Sequence, residues 1–341
     1  MTQNNVLLEV KDLKVSFYLT EATVRAVDGV NFSIEAGKTL GIVGESGCGK
    51  SVTARAILGM VRRPGKIIGG EVLYHRAGQT IDMAQLDPEG PEIRSIRWGE
   101  IAMIFQEPMT SLSPVHTIGN QMIEAVQLHK SVSKSAAEAV SVDLMRRVGL
   151  PYPERLLKSY RHELSGGMRQ RVMIAMALTC SPRLLIADEP TTALDVTTQA
   201  QILDLMRDLQ EEYNMAIMFI THNLGVIAEM ADDVIVMYLG KEVEVADVDT
   251  IFHSPSHPYT QALLRSIPRH DVDVQRLETI TGTVPDPTAV PKGCAFHPRC
   301  RHFVPEACLT PPSLLQVADD HQVRCTRAYE INEHLAAAQT E

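Results

Sequence analysis

The sequence predicts an α/β fold with four parts. A buried parallel sheet lies at its centre, an antiparallel β region precedes it, a helical insertion interrupts it, and a small four-cysteine module follows it. Three observations predict this. A glycine-rich loop, Gly44-Glu45-Ser46-Gly47-Cys48-Gly49-Lys50-Ser51, joins the apolar run Leu40 to Val43 to a helix-like segment from Val52 to Met60. Four short apolar runs each end in a polar residue suited to ligand chemistry. Cys294, Cys300, Cys308 and Cys325 crowd together near the end of the chain.

Taken in chain order, Leu7 to Phe17 and Val30 to Ile34 alternate apolar and polar residues, which reads as antiparallel strands with polar turns. The unbroken apolar runs Leu40 to Val43, Ile101 to Phe105, Leu184 to Ala187 and Ala216 to Ile220 read as strands covered on both faces. In such sheets ligands gather beyond the carboxyl ends of the strands, so the four runs point to one site. Glu71 to Glu100 is a polar connector, read as a hairpin plus a loop. From 107 to about 180 the pattern turns helical, with segments near Ile118 to His129, Ser135 to Val148 and Gly166 to Leu178. The main domain is placed at 1–253. A C-terminal extension at 254–341 begins with His253-Ser254-Pro255-Ser256-His257-Pro258 and a short helix near Tyr259 to Ser266, then passes through a Pro-, Thr- and Gly-rich linker.

Composition bounds the partners. The 341 residues are 45% hydrophobic and 22% charged, ordinary for a soluble globular protein. A net charge of −10 without a basic run argues against nucleic acid as the main partner. The segment from Met1 to Asn5 has neither the basic nor the apolar part of a signal peptide, and the longest apolar stretch, Val172 to Leu178, is too short to cross a bilayer. A cytoplasmic location is expected, with any work at a membrane done by docking to partners. Six cysteines in such a chain read as thiols or ligands rather than disulfides.

The glycine loop has the spacing that cradles phosphate. Glycines allow successive N–H groups of Gly44, Glu45, Ser46, Gly47, Cys48 and Gly49 to turn inward, and the helix that opens at Ser51 and Val52 adds its positive dipole end. Lys50 is placed to reach the β- and γ-phosphates and Ser51 to hold Mg²⁺, so a nucleoside triphosphate is the expected ligand. Asp188 ends an apolar run where a carboxylate can hold Mg²⁺ through water, and Glu189 can polarise an attacking water. Gln106 is placed to bridge metal and γ-phosphate, and His222 to contact the γ-phosphate. Leu164-Ser165-Gly166-Gly167-Met168 opens a helical segment with a hydroxyl and exposed glycine N–H groups, a second anion cradle. One nucleotide needs one cradle, so the second is expected to serve the nucleotide of another subunit.

The order of these motifs, with Leu-Leu-Ile-Ala-Asp-Glu at 184–189, Ala193-Leu194-Asp195 and His222, resembles the nucleotide-binding subunit of an ATP-binding-cassette (ABC) transporter over roughly residues 5 to 250. The stretch from Leu164 to Leu178 and His257-Pro258-Tyr259-Thr260 resemble the dipeptide/oligopeptide importer ATPases, whose relatives also serve nickel and some oligosaccharides. The resemblance implies a P-loop ABC ATPase with a RecA-like core, an antiparallel β subdomain and a helical subdomain at about 107–180. It implies Phe17 as the adenine platform, Ser165 and Gly167 as contacts to the γ-phosphate held by the partner subunit, and Asp195 as the loop coupling the two sites. Gln106 would also neighbour the groove where a permease helix docks. It further implies Mg²⁺, a second ATPase subunit that is a paralogue, two transmembrane permease subunits, an extracytoplasmic solute-binding protein, and residence on the cytoplasmic face of the membrane. Two positions depart from the commonest pattern: Met168 stands where glutamine is commonest, as is usual in the peptide branch, and Asn223 stands where aspartate is frequent. A soluble cassette ATPase acting on nucleic acid or ribosomes is the competing class; it ordinarily needs two fused cassettes or a long coiled-coil insertion, neither of which is visible.

The four C-terminal cysteines are separated by five, seven and sixteen residues, without the CxxC knuckles of zinc ribbons. Their chemistry leaves Zn²⁺, an iron–sulfur cluster or unligated buried thiols open. Resemblance to the importer ATPases, some of which carry a 4Fe–4S cluster in this tail, favours iron–sulfur. A structural role is expected for it, with redox sensing as the other reading. His297 and His302 lie among these cysteines without an assigned ligand role, and Cys48 and Cys180 need no metal.

Overall fold

Strands built from buried β-branched and aliphatic residues set the frame. The computed structural model describes residues 5–76, 78–106, 111–192, 194–267 and 279–331. The strands are β1 (Val6–Tyr18), β2 (Thr23–Glu35), β3 (Thr39–Val43), β4 (Gly65–Arg76), β5 (Gln79–Asp82), β6 (Ile101–Ile104), β7 (Leu184–Asp188), β8 (Ala216–Ile220), β9 (Asp233–Tyr238), β10 (Lys241–Asp247), β11 (Leu315–Ala318) and β12 (His321–Val323). The principal helices are α1 (Lys50–Ile57), α2 (Pro91–Ile96), α3 (Ile118–His129), α4 (Lys134–Arg147), α5 (Gly166–Ala177), α6 (Val196–Tyr213), α7 (Leu224–Met230), α8 (Val248–His253) and α9 (Pro258–Arg265).

The chain forms two compact units. The first comprises residues 1–8, 34–39 and 74–220, and its centre is the parallel trio β6, β7 and β8. Ile101 pairs with Leu184, and Leu184 with Ala216, and every residue of these strands is buried. An apolar run without alternation has no face to give to water, which is why it reads and folds as a covered parallel strand. The helical segments fall where the periodicity places them. α3, α4 and α5 start on Thr117, Ser133 and Ser165, whose side-chain oxygens accept N–H bonds from Asn120, Ala136 and Met168. α2 fills part of the connector expected to be loop. Pro91 opens it, but only Ile93 and Ile96 are buried along its six residues, too short a pattern to show a period.

The second unit comprises residues 9–33, 40–73 and 221–341. Here β3 pairs in parallel with β9, Leu40 opposite Asp233 and Val43 opposite Val236, and β9 continues antiparallel into β10. The C-terminal extension enters this sheet. β12 pairs antiparallel with β10, Glu244 opposite Val323, and β11 pairs with β12. Val323, Cys325, Ala328 and Ile331 form a small buried cluster beneath them, with Val317 packed against it. The segment expected to be an appended module is therefore tied to its unit by backbone hydrogen bonds and by a core of its own.

Candidate functional site

The phosphate loop grows from β3, a fully buried strand, and ends in α1. Two of its glycines are required by space as well as by torsion. Gly44 and Gly49 have φ of 151° and 109°, and a Cβ on them would stand 2.2 Å from the Met237 carbonyl oxygen and 2.3 Å from that of Ala26. The Lys50 ammonium folds back over the loop, donating to the Gly44 carbonyl at 2.6 Å and the Glu45 carbonyl at 3.1 Å. Ser46 and Gly47 are exposed at the tip, Ser51 and Val52 are half-buried, and Cys48 is buried beneath. Burial pushes the Cys48 thiol up from its ordinary value, against the opposing pull of Lys50. Cys48 is thus a packing residue under the loop, with Lys50 at 3.7 Å from its sulfur.

Two contacts to this loop were not legible in the sequence. The Glu45 N–H donates to the Tyr259 hydroxyl at 2.9 Å, and the Glu45 carboxylate pairs with both terminal nitrogens of Arg299, at 2.7 and 3.1 Å. Tyr259 lies in the His257-Pro258-Tyr259-Thr260 motif, which marked the family in the sequence but carried no hint of its contact. Tyr238, Tyr259 and Phe296 form an aromatic cluster beside the ion pair, with ring centroids 4.7 to 5.4 Å apart.

His222 is exposed just beyond β8, and Thr221 before it donates its N–H to Ile42 at the end of β3. Asn223 caps α7, its side-chain oxygen accepting from the Gly225 N–H at 2.9 Å. Asparagine caps a helix about as well as aspartate, so the departure from the commoner residue leaves the turn after His222 intact. Phe17 is half-buried near the end of β1, its ring so close to Gly65 that a Cβ there would approach it to 2.7 Å.

In the other unit, Asp188 ends β7 and is wholly buried. Glu189 follows in a left-handed conformation with φ of 50°, an uncommon place for a non-glycine residue. Its carboxylate accepts a hydrogen bond from the Thr192 hydroxyl at 2.7 Å, and its N–H donates to the Ile220 carbonyl at 2.8 Å. Backbone held in a sparsely populated region is characteristic of functional sites. Gln106 is exposed just past β6. Ser165 and Gly166 are exposed at the start of α5, and Gly167 is half-buried against Thr198. Asp195 caps α6, accepting from the Thr198 N–H at 2.9 Å and the Thr198 hydroxyl at 2.7 Å, bonds that hold its carboxyl below the usual carboxylate range. Ala193, two residues before it, lies outside the described residues, as do 107–110 at the start of the helical insertion.

The four cysteines of the extension line one cavity, with His257, His297 and His302 also on its wall. Sulfur donors around a single space suit iron–sulfur or zinc chemistry. Among the described residues, however, no group of three or more His, Cys, Asp or Glu is arranged to hold a metal ion. Burial pushes the thiols of Cys294, Cys300 and Cys325 up to about 11. The expected ligand set shares a cavity without being assembled as a metal centre.

Together these features define a P-loop ATP-binding cassette. A family model described as ABC transporter matches residues 27–192, and one described as oligopeptide/dipeptide transporter, C-terminal region, matches residues 243–308. The oligopeptide transport ATP-binding protein AppD of Bacillus subtilis is 49% identical over 322 residues, covering 94% of this chain and 96% of its own. The dipeptide transport ATP-binding protein DppD of Escherichia coli is 47% identical over 319 residues, again 94% and 96%. A solved dimeric cassette, MJ0796, in a post-hydrolysis state bound to ADP and Pi, aligns with a TM-score of 0.62 at 27% identity, over 71% of this chain and 99% of that one. The chain belongs to the oligopeptide/dipeptide family of ABC transporter ATPases. Among the described residues no helix is long and apolar enough to cross a membrane.

Proposed function

We propose that this chain is the ATP-hydrolysing subunit of a membrane importer, coupling ATP binding and hydrolysis to the uptake of di- and oligopeptides. The observation that carries this is the Gly44–Ser51 loop with Lys50 folded onto its carbonyls, in a chain whose relatives are named as dipeptide and oligopeptide transport ATP-binding proteins along nearly its whole length. The Lys50 ammonium rests on two carbonyls and lies near a thiol, neutral partners that phosphate oxygens can replace as stronger, charged ones. Loop N–H groups and Lys50 bind the β- and γ-phosphates, and Phe17 supports the adenine. Ser51, Gln106 and the buried Asp188 are hard oxygen donors that would hold Mg²⁺, whose charge offsets that of the phosphates. Glu189, held by Thr192, orients water for in-line attack on the γ-phosphorus, and His222 contacts the γ-phosphate. Exposed Ser165, with Gly166 and Gly167, faces the nucleotide of a second ATPase subunit, a paralogue in this reading, and Asp195 couples the two sites.

The remaining assembly is two transmembrane permease subunits and an extracytoplasmic solute-binding protein, with this chain peripheral on the cytoplasmic face. Nickel or an oligosaccharide is the alternative cargo for the same machinery, and the net charge of −10 speaks against a nucleic-acid partner. Reconstituting the chain with its permeases and partner ATPase in liposomes tests the reading. ATP-dependent accumulation of peptide, lost in Lys50→Ala and Glu189→Gln, is expected; uptake of nickel or oligosaccharide but not peptide would replace the substrate.

For the extension we infer a 4Fe–4S cluster on Cys294, Cys300, Cys308 and Cys325, supported by the shared cavity and opposed by the unassembled ligand geometry. A brown protein whose broad visible absorbance bleaches on reduction is expected from anaerobic purification. A colourless protein with stoichiometric zinc would substitute Zn²⁺, and one with neither would leave four buried thiols.

A further inference from the structure

Glu45, in the phosphate loop, has its N–H, carbonyl and side chain all engaged: by Tyr259, Lys50 and Arg299 respectively. Two of these partners come from the C-terminal extension, Arg299 lying 254 positions further along the chain. The Arg299 side chain is only 4% exposed, and its guanidinium is held from several directions. Beyond the two bonds to Glu45, its Nε donates to the Thr281 carbonyl at 3.2 Å and Nη1 to the Tyr238 hydroxyl at 3.4 Å. The group also lies over the rings of Tyr238 and Phe296 at 6.0 and 5.9 Å. A forked, planar donor gripped on every side fixes a carboxylate in direction as well as distance, which a flexible ammonium cannot do. Glu45 is thereby held still, and with it the peptide units on either side, including the Glu45 carbonyl that Lys50 uses.

We propose that Arg299 is a positioning residue for the phosphate loop: through its two-pronged bond to Glu45, the C-terminal extension sets the affinity of the loop for ATP. The inference rests on the nucleotide-binding reading above. In this proposal Arg299 acts through Glu45 rather than on the phosphates. The turn from His297 to Arg299 leads directly into Cys300, so the residue that grips the phosphate loop is the chain neighbour of one that lines the cysteine cavity. Removing the fork leaves the loop free to sample conformations that cannot bind, and the bound form must then bear that ordering cost.

The test is a double-mutant cycle in the full-length chain assembled with its partner subunits, reading KM for MgATP and kcat separately, with circular dichroism as the check on folding. Arg299→Ala and Glu45→Gln are each expected to raise KM about tenfold with kcat within about twofold of the unchanged protein. The double variant is expected to be no worse than the worse single one, since both changes remove one contact. Arg299→Lys, which keeps the charge without the fork, is expected to fold and to recover only part of the loss; it and Glu45→Gln carry the test if Arg299→Ala does not fold. Additive effects in the double variant, an unchanged KM, or a fall confined to kcat would each overturn the proposal. Failure of the unchanged assembly to bind or hydrolyse MgATP would instead overturn the nucleotide-site reading itself.

Discussion

The phosphate loop and the cysteine-bearing extension share a compact unit but are built by opposite means. The loop is local: eight consecutive residues that run from a buried strand into the start of a helix, shaped by glycines that no side chain could replace at Gly44 and Gly49. The extension is non-local: Glu244 on β10 gathers the N–H groups of Ser256 and His257 at 2.5 and 3.0 Å and the His321 ring at 2.9 Å, pinning both ends of the extension to the sheet. A local site is specified by spacing and withstands change elsewhere. A non-local one depends on a few buried polar contacts, and the Glu45–Arg299 pair makes the first answerable to the second.

The largest expected effect is on the chemistry, at Lys50 in the local site and at Glu189. Lys50→Ala or Glu189→Gln should reduce ATP hydrolysis by the assembled transporter at least about a thousandfold, about 4 kcal/mol of transition-state stabilisation, while thermal unfolding shifts little. Near-normal turnover in either purified variant would remove these residues from the chemistry. The non-local region should break at Glu244. Glu244→Ala leaves three donors without their buried acceptor and should cost about 3 kcal/mol in urea unfolding, with early proteolysis after residue 254.

Acid should sharpen the same contrast. His257 is buried, and burial pushes its imidazole down to about 4, while its Nδ1 accepts the Tyr259 N–H at 3.0 Å. The unfolded chain, with an ordinary histidine near ~6.5, binds the extra proton first, so stability is full above that value and declines as pH falls toward 4. Between pH 7.5 and pH 5 the loss should reach about 2 kcal/mol at most, and His257→Asn should flatten the dependence. Identical urea midpoints for the unchanged chain at both pH values would count against this role. The smallest effect is at the helix after His222: Asn223→Ala should cost about 1 kcal/mol, and Asn223→Asp almost nothing, by chemical denaturation.

Legibility in the sequence followed the same division. β3, β6, β7 and β8 were readable as unbroken apolar runs, α3 by an amphipathic period, and α5 by Ser165 and the glycines that open it. Gln106, Asp188, Glu189, His222 and the phosphate loop were readable because they follow those runs, whereas Phe17 and Asp195 were named by the family resemblance alone. Helix α2, with two buried residues in six, carried too little period to read. The left-handed turn at Glu189 and its Thr192 partner left no mark, since threonine three residues on is common in any loop. Arg299 was equally silent, one arginine among cysteines and prolines, its meaning residing in a carboxylate hundreds of residues away.

What the sequence determined alone was everything encoded within about one element's length: strand against helix, the glycine cradle, the capping residues, and through them the cassette architecture. Only the tertiary structure decided that the extension joins the β9–β10 sheet through β12, that Tyr259 and Arg299 grip Glu45, and that four thiols of the extension line one cavity. Local geometry follows from torsional and hydrophobic preferences that act between near neighbours. The pairing of distant polar groups depends on which surfaces the folded chain removes from water together, and no stretch of sequence holds that information.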